Sequence, residues 1–190
     1  MRGRTLGWLW AAALSITVLA VWGVGSGGRV AGAAQAVARA QAPTRSLTPE
    51  EIRGLQEGEG MGLARAAEFN GYPGPSRILE AARAGQIEIY ADQRQAIERI
   101  LAAATSKAQA LGLQILAQEA ALEAGLRAGR MADADLSRQV EEIGQARAEL
   151  RLTHLRAHLL ATSLLRPEQI EEYYQFRGYV APSSGYQSNY

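Results

Sequence analysis

From Ala91 to about Gly129 the chain contains no proline, and its apolar residues recur at Ile97, Leu101, Ala104, Ala108, Leu111, Ile115, Leu122 and Leu126. The steps alternate four and three, with Gln118 at the one interrupted position, which is the pattern of a coiled-coil seam. At 1.5 Å per residue such a helix extends ~55 Å, weakened slightly by Gly112 and Gly125. Gly129-Arg130-Met131-Ala132 reads as a turn, with Asp133 capping the next helix. That helix carries the same period through Leu136, Val140, Ile143, Leu150, Ala157, Ala161 and Leu164, with Arg147 and His154 at two seam positions. A short loop between matching periods predicts an all-α fold: a long antiparallel helical hairpin with short flanking helices.

A hairpin buries little surface by itself. Leu152, Leu155 and Leu159 form a second apolar line, so the later half of the second helix needs a cover, supplied by the flanking helices or a second subunit. A homodimer is the economical expectation. Only two phenylalanines are present and alanine is abundant, which suits close helix packing around small residues.

One phrase stands on both sides of the long stretch: Leu47-Thr48-Pro49-Glu50-Glu51-Ile52 before it and Leu165-Arg166-Pro167-Glu168-Gln169-Ile170 after it. Proline is favoured at the first helical position, and an acid or amide at the third can reach back to the cap. Thr48 is a good cap and Arg166 a poor one. A degenerate third copy lies at Ile89-Tyr90-Ala91-Asp92-Gln93. Each copy is a helix start, and the last helix should run from Pro167 to about Arg177.

The chain opens with Arg2 and Arg4, an uncharged run from Leu6 to Val24, and small residues ending in Ala34-Gln35-Ala36. That is an export signal over 1–36, or an uncleaved N-terminal anchor, since the apolar run approaches the ~20 residues a spanning helix needs. Residues 37–46 read as a linker, 47–178 as the helical domain, and 179–190 as a tail rich in Ser, Gly and Tyr. The whole chain has 20 basic and 19 acidic residues, a formal charge of +1. Arg2, Arg4 and Arg29 belong to the leader, so the exported part keeps 17 bases against 19 acids, near −2, which argues against nucleic acid as a partner. With no cysteine, disulfides and thiolate ligands are excluded.

Between Leu55 and Ser76, Gly58-Glu59-Gly60-Met61-Gly62 and Asn70-Gly71-Tyr72-Pro73-Gly74-Pro75 lack the following Lys-Ser/Thr and preceding strand of a phosphate loop. They read as a connector with tight turns, after which Ser76 caps a short helix through Ala84. No nucleophile elbow or triad order is present, and Glu141, Glu142 and Glu149 recur beside Arg138, Arg147 and Arg151 as a solvated ion-pair face would. An enzyme is not expected.

The chain's two histidines, His154 and His158, stand four apart, which places them on one helix face where they could grip one divalent ion. The alternative is a seam histidine and its neighbour, hydrogen-bonded and metal-free. Two ligands do not complete a shell, and Glu59 and Met61 are the candidates for the others. No cofactor is required by the sequence; the ion such a pair would take is nickel, cobalt, copper or zinc.

The leader, the hairpin period and the phrases Leu-Thr-Pro-Glu-Glu and Leu-Arg-Pro-Glu-Gln together resemble the Spy/CpxP family, known for its LTXXQ motif, and the related periplasmic heavy-metal sensor and resistance proteins. The resemblance spans roughly Leu47 to Tyr179. Glu51 stands where the motif has its final Gln, Arg166 where it has Thr, and Tyr90-Ala91-Asp92-Gln93 keeps only the Gln. The family implies a thin dimeric helical cradle in the periplasm that acts in envelope stress, binding unfolded or stress-damaged proteins without ATP. Metal-sensing relatives imply His, Glu or Met ligands on the same hairpin and signalling through a membrane partner; the His154/His158 pair would then be the site.

Overall fold

In a computed structural model, residues 44–178 are described. The expected leader and the tail beyond Gly178 lie outside the described residues. Within them the secondary structure is helical throughout: α1 (Pro49–Glu57), α2 (Arg65–Glu68), α3 (Pro75–Arg83), α4 (Ala91–Arg127), α5 (Asp133–Thr162) and α6 (Pro167–Arg177).

All three copies of the repeated phrase start helices, and all do so with the residue at the third helical position. The Glu51 carboxylate accepts the Thr48 N–H at 2.8 Å while Thr48 Oγ1 accepts the Glu51 N–H at 3.2 Å, a full capping box. Gln93 Oε1 accepts the Tyr90 N–H and Gln169 Oε1 the Arg166 N–H, each at 2.8 Å. Two cap expectations need correction. The N-cap of α3 is Gly74, with Pro75 as the first helical residue, so Ser76 already lies inside the helix. The N-cap of α5 is Ala132, and Asp133 is its first residue, where its charge still suits the helix N-terminus.

The helices α4 and α5 are joined by residues 128–132 and pack against each other. Ion pairs cross between them at Glu119–Arg147, 2.7 Å, and Lys107–Glu149, 3.7 Å, so rising numbers on one helix meet falling numbers on the other. Arg147 and Glu149, read from sequence as part of a solvated face, therefore bridge two helices, whereas Arg138 does pair along its own helix with Asp135 and Glu142. The seam is buried at Ile97, Ala108, Ile115, Ile143, Leu150, Ala157 and Ala161. It opens towards the turn, where Leu126 and Val140 are 54% and 52% exposed. By length and composition α4 is apolar enough to cross a membrane; in this fold it packs on α1, α3 and α5.

Two clusters make the core. In the middle, Leu55 of α1 packs on Ala108, Ile115 and Leu116 of α4 and Ala146 and Leu150 of α5. Gly112 is what permits this approach: a Cβ there would lie 1.9 Å from the Leu55 carbonyl oxygen. Its cost in helix propensity, foreseen from sequence, is offset by close packing of α1. Gly58 ends α1 in the left-handed conformation at φ +68°, and a Cβ on it would meet the Thr105 carbonyl at 2.8 Å. The second cluster, at the end remote from the turn, joins Ile78, Leu79 and Ile87 to Ile97, Ala161, Leu165, Tyr173 and Tyr174. Small residues do fill much of the core, but these two tyrosines are its largest fully buried side chains. Residues 44 and 45, assigned above to a linker, are strapped to α4: the Glu123 carboxylate accepts from Thr44 Oγ1 and the Arg45 N–H, each at 2.8 Å. These donors hold the Glu123 carboxyl down at about 2.

The second cluster is closed by a pair of glutamines from two copies of the phrase. Gln93 Nε2 donates to Gln169 Oε1 at 3.0 Å, and Gln169 Nε2 donates back to Gln93 Oε1 at 3.1 Å. Each amide has one more donor hydrogen, which goes to a loop carbonyl at 2.6 Å: Gln93 to Leu164, Gln169 to Glu88. Gln169 is 2% exposed, and every hydrogen-bonding position of both amides is used. Replacing Gln169 with Ala leaves Gln93, the Arg166 N–H and the Glu88 carbonyl short of partners, and should cost ~3 kcal/mol. Denaturant unfolding should show the Q93A/Q169A double variant costing less than the sum of the single ones, because the amides act as one unit.

Candidate functional site

The connector 58–74 and the second half of α5 form one corner of the molecule, and the two histidines lie in it. Glu68, at the end of α2, is held by donors from two directions: Tyr173 OH on α6 donates to Oε1, and the Gly74 N–H donates to Oε2 at 3.2 Å. The Glu68 backbone carbonyl accepts from Tyr174 OH, whose oxygen in turn accepts the Gly71 N–H at 2.9 Å. The two phenol rings meet edge to face with centroids 5.5 Å apart. Burial, and then the Glu68 carboxylate it donates to, pushes the Tyr173 phenol far above its ordinary range.

His158 enters this corner from α5. Its Nδ1 is 2.8 Å from the Tyr72 carbonyl oxygen and 3.8 Å from Glu68 Oε2. A carbonyl only accepts, so Nδ1 carries a proton and donates it to Tyr72. Nε2 and Cε1 face Gly74 so closely that a Cβ there would lie 2.8 Å from each. His154, one turn earlier, is half-buried; its Nε2 is buried without a hydrogen-bond partner, and its Nδ1 faces Gly60. Burial first, and the neighbouring His158 second, lower the His154 pKa.

The remaining sequence candidates point elsewhere. A Cβ on Gly54 of α1 would lie 2.5 Å from Met61 Sδ and 3.5 Å from Glu59 Oε2, so both side chains turn towards α1. Met61 takes a left-handed backbone at φ 44°, and with 43% exposure it also edges the cleft beside His158. The acid that stands next to His158 is Glu68, which no spacing rule selects because the two residues are 90 positions apart. Among the described residues no group of three or more His, Asp or Glu side chains is arranged to hold a metal ion.

An open cleft of about 610 Å³ lies between the connector, the start of α3 and α6, with His158 and Glu68 in its wall. A groove of about 350 Å³ runs between α4 and α5, floored by Ile100, Ala103, Ala104 and Ala157. Arg99, Lys107 and Arg156 border that groove; Lys107 is drawn to Glu149 at 3.7 Å, while Arg99 and Arg156 have no ion-pair partner among the described residues. Leu160 is 56% exposed at its edge.

No protein-family model matches the chain, and no curated protein or solved structure does.

The lowered His154 pKa gives a pH dependence with a definite sign. Unfolded, this imidazole takes up its proton near pH 6.5; folded, it does so at lower pH, so below about 6.5 the unfolded state binds more protons and stability falls with pH. Thermal melts should show wild type losing stability relative to His154→Leu as pH drops from 7 to 5. At neutral pH the variant should be no less stable, since it removes a buried nitrogen that has no partner.

Proposed function

We propose that this chain is an exported, non-enzymatic accessory protein of envelope stress, an ATP-independent chaperone or adaptor that holds unfolded proteins on an antiparallel helical hairpin. The observation that carries this reading is the groove between α4 and α5, an apolar floor bordered by Arg99, Lys107 and Arg156 with Leu160 exposed at its edge. An unfolded client offers apolar side chains without fixed spacing, and a shallow groove of small side chains takes many of them weakly. Long cationic side chains at its border adapt to different acidic neighbours. The resemblance of the Leu-Thr-Pro-Glu-Glu and Leu-Arg-Pro-Glu-Gln phrases to the Spy/CpxP motif supports the same reading and a periplasmic location. The seam that opens at Leu126 and Val140 is the surface proposed to be covered by a second copy.

The mature protein should slow aggregation of a chemically unfolded client, followed by light scattering, at comparable concentration. Leu160→Gln combined with Arg156→Gln should lose most of that activity while changing stability by no more than ~0.5 kcal/mol, because both side chains are exposed. No protection by wild type at large excess sinks the proposal.

A metal sensor or scavenger is the second reading, and its support is the unpartnered, buried His154 Nε2 one turn from His158. Against it, the two nitrogens of His158 face the Tyr72 carbonyl and Gly74, and both Glu68 oxygens accept hydrogen bonds, so these residues do not fit a metal shell as they stand. Titration with nickel, cobalt, copper and zinc beside the His154→Ala/His158→Ala variant decides the matter. Saturable binding that the variant loses would favour the sensor, and equal weak binding by both proteins would remove it.

A further inference from the structure

The open cleft beside His158 is lined by three arginines that come from three different elements: Arg65 of α2, Arg77 of α3 and Arg177 of α6. Glu68 is the one acid among the described lining residues, and its two carboxylate oxygens accept hydrogen bonds from Tyr173 and from Gly74. Arg65 folds across Gly62 and has no ion-pair partner among the described residues. Arg77 holds Glu80 at 2.7 Å in a pair exposed on both sides, which solvent screens and a stronger anion readily displaces. The same wall contains Gly74 and Ser76, the start of α3, where no side chain caps the helix. Backbone N–H groups there have no acceptor within the helix. Phe69, 59% exposed, and Met61 give the cleft an apolar edge.

From this convergence we propose that the cleft is a binding site for a phosphomonoester group carried on an organic body, the body lying against Phe69 and Met61. Three guanidinium groups offer more forked donors than the two oxygens of a carboxylate can accept. A phosphomonoester presents three terminal oxygens and up to two charges, and so uses them. The site is separate from the groove between α4 and α5, and its occupancy does not depend on client binding there.

Calorimetric titration of the full chain at low ionic strength tests it, with phenyl phosphate, inorganic phosphate and benzoate as probes. Phenyl phosphate should bind saturably, more tightly than inorganic phosphate, which lacks the apolar body, and more tightly than benzoate. Arg65→Gln/Arg177→Gln should weaken it at least about tenfold, which is ~1.4 kcal/mol. Arg130→Gln, at the turn joining α4 and α5, should leave it unchanged. Should the double variant melt early, Arg65→Gln alone, at an exposed position, carries the comparison. Flotation with phosphatidylcholine vesicles containing phosphatidic acid separates the two sources of this chemistry. Vesicle binding lost in Arg65→Gln assigns a lipid headgroup, and binding of soluble phenyl phosphate alone assigns a free metabolite. Benzoate binding as tightly as phenyl phosphate, no saturable binding of either phosphate on any arm, or equal loss in Arg130→Gln overturns the proposal.

Discussion

The reciprocal amide pair of Gln93 and Gln169 is the interaction on which the arrangement of helices depends. Each glutamine caps its own helix, so neither side chain is free to move without fraying a helix start. Because the two caps also bond each other, the beginning of α4 and the beginning of α6 are fixed at one point, with the Glu88 and Leu164 carbonyls drawn in. A buried amide is costly unless every donor and acceptor is used, as they are here, and the pair thereby favours this placement of α6.

That placement has consequences at the corner. With α6 fixed, Tyr173 and Tyr174 reach under the connector and bind Glu68 by its side chain and its backbone, which positions α2 although it is only four residues long. The Gly74 N–H completes the Glu68 carboxylate, and the same glycine leaves room for the His158 ring. His158 is thus part of a hydrogen-bonded corner with His154 one turn away, and Arg65, Arg77 and Arg177 line the cleft beside it. A cationic cleft and an apolar groove consequently sit on one small protein as separate surfaces, one built from loops and helix ends, the other from the flanks of two long helices.

Much of the secondary structure was legible residue by residue. The Pro49 and Pro167 helix starts, the end of α6 at Arg177 and the break between α4 and α5 all follow from caps and periods. The misses share a cause. Ser76 and Asp133 are good capping residues by type, but caps are assigned by where the chain turns, and Gly74 and Ala132 hold those places. Gly112 looked like a weak point in a helix and is a contact point for the Leu55 backbone. Glu59 and Met61 have ligand chemistry, yet their side chains turn to Gly54, while Glu68 carries no local signal at all.

What the sequence determined alone is the all-helical character and the extent of the two long helices and of the last one, because hydrogen-bonded helices obey rules of spacing and capping that span only a few residues. The spacing of His154 and His158 belongs to the same category. Tertiary structure decided which side chains meet: Glu68 with His158 and Tyr173, Gln93 with Gln169, and Arg65 with Arg77 and Arg177 around one cleft. These encounters join residues up to 112 positions apart, Arg65 and Arg177 being the extremes. They depend on how short helices fold back over a long pair, a matter of packing and of satisfying buried polar groups that leaves no period in the chain.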